Sequence, residues 1–101
     1  MSNSGKKMEK LKLLVFSYYR EDPQINKLLE PIHVCRFSRG WDSIHIECLN
    51  LEHYGQVVKL LILLESPFAL LGIAKKLILT VPGLIQNTYT IKLRSNIDLL
   101  N

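Results

Sequence analysis

From Leu11 to Tyr19 the chain reads LKLLVFSYY. Val15, Phe16, Tyr18 and Tyr19 favour extended backbone, so the pattern predicts a first strand over 11–19. Asp22-Pro23 offers an N-cap followed by a proline suited to the first helical position. A short helix, QINKLLE, is expected next, with Ile25, Leu28 and Leu29 on one face. It must end before Pro31, because the residue preceding a proline is pushed out of the α region. IHVCRF (32–37) and SIHIECL (43–49) read as two strands around the turn SRGWD, in which Gly40 is free to take positive φ. Asn50 is an N-cap for a helix from Leu51 to about Glu65, and Ser66-Pro67 opens a second helical piece reaching about Ala74. Gly72 reads as a close-packing position within that piece. KKLILTV (75–81) predicts a fourth strand, with a continued helix as the alternative. Pro82-Gly83 turns the chain. TYTIKL (88–93) alternates Tyr89, Ile91 and Leu93 against Thr88, Thr90 and Lys92 as a fifth strand.

The order βαββαβ with an extra C-terminal strand predicts an α+β fold, a ferredoxin-like sandwich with the helices on one face of an antiparallel sheet. Residues 1–9 are expected as a disordered basic tail, 10–94 as a single α+β domain and 95–101 as a C-terminal tail. Alternation then sends Phe16 and Tyr18, His33 and Phe37, and Trp41 and His45 toward the open face. The hairpin register has two solutions. A five-residue turn pairs Phe37 with Ser43. A four-residue turn groups Cys35 and Phe37 with Ile44 and Ile46.

Composition narrows the function. The chain has 101 residues, 48% hydrophobic and 22% charged, which suits one folded domain rather than a disordered chain. Of the net charge of +4, residues 1–12 carry +3 (four Lys against Glu9), leaving +1 for the rest (nine Lys or Arg against eight Asp or Glu). The body therefore lacks the basic excess of a typical nucleic-acid-binding surface. The first residues form no apolar signal segment, and Lys59, Glu65, Lys75, Lys76, Pro67 and Pro82 interrupt the apolar stretch 57–85. A cytoplasmic protein without a membrane span is expected.

The stretch RGWDSIHI (39–46) overlaps in part the strand signature of the RNA-recognition motif. Arg39 and Gly40 match, and Trp41 keeps the aromatic class. Ser43 and Ile46 stand where the two base-stacking aromatics belong, so the chain is not placed in that family. His33-x-Cys35 and His45-x-x-Cys48 suggest zinc ligands, but the second spacing sends its two residues to opposite faces of a strand. Two buried free thiols, no metal and no cofactor are expected. No nucleophile signature or phosphate-binding loop is present, so no enzymatic activity is expected.

VVKLLILL (57–64) is apolar on every side except Lys59, whereas a helix lying on a sheet needs only an apolar stripe. Covering a further ~400 Å² would favour association by roughly 10 kcal/mol gross, partly offset by lost motional freedom. The expected function is therefore a small non-enzymatic protein-binding domain, a homo-oligomer or a subunit or regulator of a larger complex. Phe16, Tyr18, Phe37, Trp41, Leu61 and Leu64 are its candidate interface residues. The alternative is a single-stranded RNA- or DNA-binding module using Lys6, Lys7, Arg36, Arg39 and Trp41.

Overall fold

The computed structural model describes the backbone of residues 2–91 and the side chains of 10–91. Its first element is not a strand. Ser2–Tyr18 is helix α1. Leu11, Val15 and Tyr19, spaced four apart, are all buried in the core. That helical stripe overrides the local preference of Val, Phe and Tyr for extended backbone. The side chains of residues 1–9, and all of residues 92–101, lie outside the described residues. The expected terminal tails, 1–9 and 95–101, fall on these residues.

The next helix follows its local chemistry. Helix α2, Pro23–Leu28, has Pro23 in its first turn, and the Asp22 carboxylate accepts the Ile25 N–H at 3.1 Å. Pro31 then diverts the chain into a 3-10 turn, Glu30–Val34. The expected strand over 32–37 consequently starts late, as β1, Arg36–Arg39.

Strand β2, Ser43–Glu47, pairs antiparallel with β1 in the register Phe37↔Ile46 and Arg39↔Ile44. Gly40 N–H donates to Ser43 O at 2.8 Å, so the loop is only Trp41-Asp42. The face grouping is the second of the two expected, reached through a turn two residues shorter. Gly40 is not there for positive φ, which among the described glycines belongs to Gly72 and Gly83. It is there for space: a Cβ would lie 2.6 Å from Ser43 Oγ and 3.0 Å from His45 Nε2.

Asn50 caps helix α3, Leu51–Val58, accepting the His53 N–H at 2.8 Å. The chain breaks at Lys59-Leu60, and helix α4 runs Leu61–Leu70 with Pro67 inside it. The break was expected at Ser66-Pro67. Pro67 is tolerated because the carbonyl it cannot serve, Leu63 O four residues earlier, accepts the Tyr19 hydroxyl at 2.7 Å. Gly72 does not pack inside a helix. It takes φ 65° and ends α4, with Gly72 N–H donating to Ala69 O and Ile73 N–H to Phe68 O, both at 3.1 Å. This is the Schellman arrangement.

Strand β3, Lys76–Val81, resolves the strand-or-helix alternative as strand. Gly83 (φ 76°) turns the chain into β4, Ile85–Thr90, which begins three residues before the expected fifth strand. The sheet order is β1-β2-β3-β4. Each hairpin is antiparallel, and β2 and β3 are parallel. A parallel pair needs a long crossover, which α3 and α4 supply. The fold is α+β with a four-stranded mixed sheet. Because the first strand became α1, the ferredoxin-like order and the all-antiparallel sheet are not found among the described residues.

Phe37, Ile44, Ile46, Leu77 and Leu79 share one face of the sheet and form one core cluster with Val15, Val57, Leu64 and Phe68 of the helices. The alternate set, Ser38, His45, Ile78 and Thr88, faces the other way and is half-buried or exposed.

Candidate functional site

The aromatic platform does not assemble. Phe16 and Tyr18 lie on α1 rather than on the sheet. Phe16 stacks on the His33 ring at 4.2 Å, and Tyr18 meets Tyr19 edge-on. Phe37 is fully buried, because the observed register turns it inward with Ile46. His45 stands on the outward face without an aromatic neighbour from the proposed set. Leu64 is also core, whereas Leu61 is half-buried against it. Lys6 and Lys7 lie outside the residues with described side chains. Arg36 is exposed beside the outward face, and Arg39, also exposed, donates from Nη2 to Ile73 O at 2.9 Å.

Trp41 is different. It is 96% exposed at the hairpin tip. The tip is held from three directions. Gly40 N–H donates across the turn to Ser43 O. Asp42 O accepts Lys75 N–H at 2.8 Å and Lys76 N–H at 3.3 Å. Arg39 reaches Ile73 O. These bonds set the Trp41 turn beside the segment that directly follows Leu70 and Leu71, which are 62% and 55% exposed. Ile62 on α4 is 70% exposed. The apolar cylinder read from the sequence is thus only partly covered by the chain itself.

A second cluster joins three elements around two thiols. Cys35 precedes β1, Cys48 follows β2, and His53 lies in the first turn of α3. Their donor atoms all lie within 4.8 Å of one another, and all three residues are buried. Cys35 Sγ stands 3.8 Å from His53 Nε2 and 3.7 Å from Pro31 O. Burial pushes the Cys35 thiol up to about 12, and burial also raises Cys48, against the proximity of Cys35, which favours the Cys48 thiolate.

The histidine partners decide what this cluster can do. Leu49 N–H donates to His53 Nδ1 at 2.9 Å, so Nδ1 is unprotonated. The ring proton is then on Nε2, which donates to Pro31 O at 2.8 Å. The imidazole is neutral, with its single lone pair engaged. It has none left for a metal ion, and the neighbouring thiols resist the deprotonation that a metal requires. Catalysis by a Cys35–His53 pair meets the same obstacles: a buried, protonated sulfur and no free imidazole lone pair to take its proton, so thiolate chemistry at Cys35 is slow and needs a partner already bonded beside it.

Sequence reasoning weighed His33 and His45 as partners of the cysteines and missed His53. Its signal was the N-cap. With Asn50 capping α3, His53 occupies the third helical position, where a side-chain acceptor folds back over the helix start. Two of the grooves among the described residues lie near these clusters. Lys12, Leu13, Phe16 and His33 line one of ≈490 Å³. Val34, Leu49, Asn50, Glu52, His53 and Gln56 line another of ≈330 Å³, beside the thiols. No helix among the described residues is long and apolar enough to cross a membrane.

Compared with protein-family models, curated proteins and solved structures, the chain matches none.

Proposed function

We propose that this chain is a small non-enzymatic protein-binding domain that works as a homo-oligomer or as a subunit of a larger complex in the cytoplasm. The observation that carries the reading is Trp41, a large aromatic at 96% exposure on a backbone tip tied down by four hydrogen bonds. An exposed Trp with little backbone freedom loses little entropy on binding and brings a large contact area, the property of an interface anchor. Leu70 and Leu71 at the end of α4, and Ile62 from the VVKLLILL run, add further exposed apolar side chains. Leu61 is half-buried against the core, and Phe37 and Leu64 lie within it.

The test is solution mass by light scattering at micromolar concentration. A mass above 11.7 kDa that falls when Trp41→Ala or Leu70→Ser is introduced supports the reading. A monomer in both the parent and the variants, with no hydrophobic-dye binding, refutes it.

A further inference from the structure

The thiol cluster has a property that neither metal binding nor catalysis uses. The hairpin register Arg36↔Glu47 extends by one step to place Cys35 opposite Cys48. Antiparallel pairs alternate between hydrogen-bonded and non-hydrogen-bonded. The turn pair Gly40 and Ser43 is hydrogen-bonded. Counting back through 39/44, 38/45, 37/46 and 36/47 makes 35/48 a non-hydrogen-bonded pair. The backbone agrees: Cys35 N–H donates to Ile32 O and Cys48 N–H to Thr80 O, neither to the other. Opposite residues of this kind have Cα atoms about 4.5 Å apart, inside the roughly 4.4–6.8 Å window of a disulfide. Their sulfurs lie within 4.8 Å and are free thiols.

We infer that Cys35 and Cys48 are a redox modification site, a cross-strand dithiol that a low-molecular-weight disulfide closes to an intramolecular disulfide. The ≈330 Å³ groove lies beside the cluster: His53, whose Nε2 stands 3.8 Å from Cys35 Sγ, lines it together with Val34 and Leu49, the chain neighbours of the two cysteines. Both sulfurs are buried, so the oxidant reaches them only when the strand ends open there.

The order of events follows from the surroundings of the two thiols. The Cys35 thiol donates to Pro31 O at 3.7 Å and keeps its proton, whereas the proximity of Cys35 favours the Cys48 thiolate against the effect of burial. Cys48 therefore attacks first: its sulfur bonds to one sulfur of R–S–S–R, the old S–S bond breaks, and RS⁻ leaves. Cys35 then loses its proton and attacks the Cys48 sulfur of the mixed disulfide, forming the Cys35–Cys48 bond and expelling the second RS⁻. The two thiol protons end on the two RS⁻ groups, so one R–S–S–R is reduced to two RSH while the dithiol loses two hydrogens. Closure draws the Cys35 sulfur toward Cys48, away from its contact with Pro31 O. His53 keeps its own bonds to Leu49 and Pro31.

The experiment incubates the folded full chain with excess oxidised glutathione and follows intact mass, peptide maps and thiol titration. The expected product is a monomeric chain lighter by two hydrogens, with both thiols lost and residues 35 and 48 linked. Cys35→Ser should accumulate a single glutathione adduct at Cys48, and Cys48→Ser should react more slowly than Cys35→Ser. The parent time course decides the matter if either serine variant fails to fold. Retention of both thiols in the folded chain while the urea-unfolded chain oxidises would overturn the inference. So would a stable glutathione adduct on the parent, or a disulfide-linked dimer as its main product.

Discussion

The Tyr19 hydroxyl donates to the carbonyl of Leu63 at 2.7 Å, and Leu63 is the residue whose helical partner would have been the missing N–H of Pro67. One side chain from the end of α1 thus repairs a gap in α4, 44 residues along the chain. The same bond explains how a proline inside α4 is accommodated, and it joins the two helices through a partly buried contact.

Tyr19→Phe should leave Leu63 O without that donor and lower stability by about 1–2 kcal/mol, read as a shift in the urea midpoint at unchanged slope. In a Pro67→Ala background, residue 67 regains its N–H and Leu63 O regains a helical partner. The penalty for Tyr19→Phe should then shrink. Equal penalties in both backgrounds would show that the hydroxyl and the proline gap are not coupled.

Gly40 and Gly72 should fail for different reasons when changed to Ala. At Gly40 the new methyl meets Ser43 Oγ and His45 Nε2, both on the neighbouring strand. Relief is expected from the partner side: Ser43→Ala should recover part of the loss. At Gly72 nothing crowds the Cβ, and the cost of about 1 kcal/mol comes from φ 65° alone. No second-site truncation should rescue that variant. Thermal melts of the two single variants and the Gly40→Ala/Ser43→Ala pair distinguish steric from torsional strain.

His53→Ala should be among the more damaging single changes, since it removes the acceptor of the Leu49 N–H and leaves the Pro31 carbonyl only the weak Cys35 thiol, at roughly 1–3 kcal/mol for a buried group left unpaired. Metal should not compensate. With Nδ1 occupied and Nε2 protonated, metal analysis of the untagged protein should find no stoichiometric zinc, and added zinc should not raise the melting temperature. One bound zinc per chain would contradict this neutral, fully hydrogen-bonded histidine.

Alkaline pH should weaken the fold. Burial raises Cys35 from the unfolded value of 9.0 to about 12. A raised folded pKa means that the folded state holds the proton more tightly. The associated stability is fully present below about pH 9 and is lost progressively as pH rises toward 12. Cys48 shifts in the same direction and adds to the effect. Urea unfolding across this range should show a decline that becomes shallower in Cys35→Ala, after allowance for the lost packing. A decline of unchanged steepness would place its origin in other groups.

Trp41→Ala should change the urea midpoint by no more than about 0.5 kcal/mol, as expected for an exposed side chain with no core contact, while reducing the solution mass. Single-stranded RNA offers the contrasting outcome. Base stacking would make the same substitution cost about 1–3 kcal/mol of RNA affinity, and the loss of Arg39 would reduce the salt slope by about one. The expected result is no RNA binding by the body of the chain. Any weak binding should disappear when residues 1–9 are removed.

What the sequence by itself determined was set within a few residues. Asp22-Pro23 and Asn50 start their helices because capping needs only an acceptor and an N–H two or three positions ahead. Pro31 ends the second helix, Pro82-Gly83 makes its turn, and part of the apolar excess over 57–64 reappears as exposed Ile62 on α4. The tertiary structure alone decided what depends on distant partners. LKLLVFSYY carries strand-forming residues, yet Leu11, Val15 and Tyr19 find the core at helical spacing, and burial outweighs a local preference worth a few tenths of a kcal/mol per residue. The hairpin register was legible only as two alternatives, because a one-residue slip exchanges its faces, and the core chose the face that buries Phe37. Pro67 looked like a helix start until Tyr19 supplied its missing bond. Cys35, Cys48 and His53 come together because β1 and β2 pair and α3 begins beside them. The identity of that trio was therefore written in the pairing of strands rather than in any spacing along the chain.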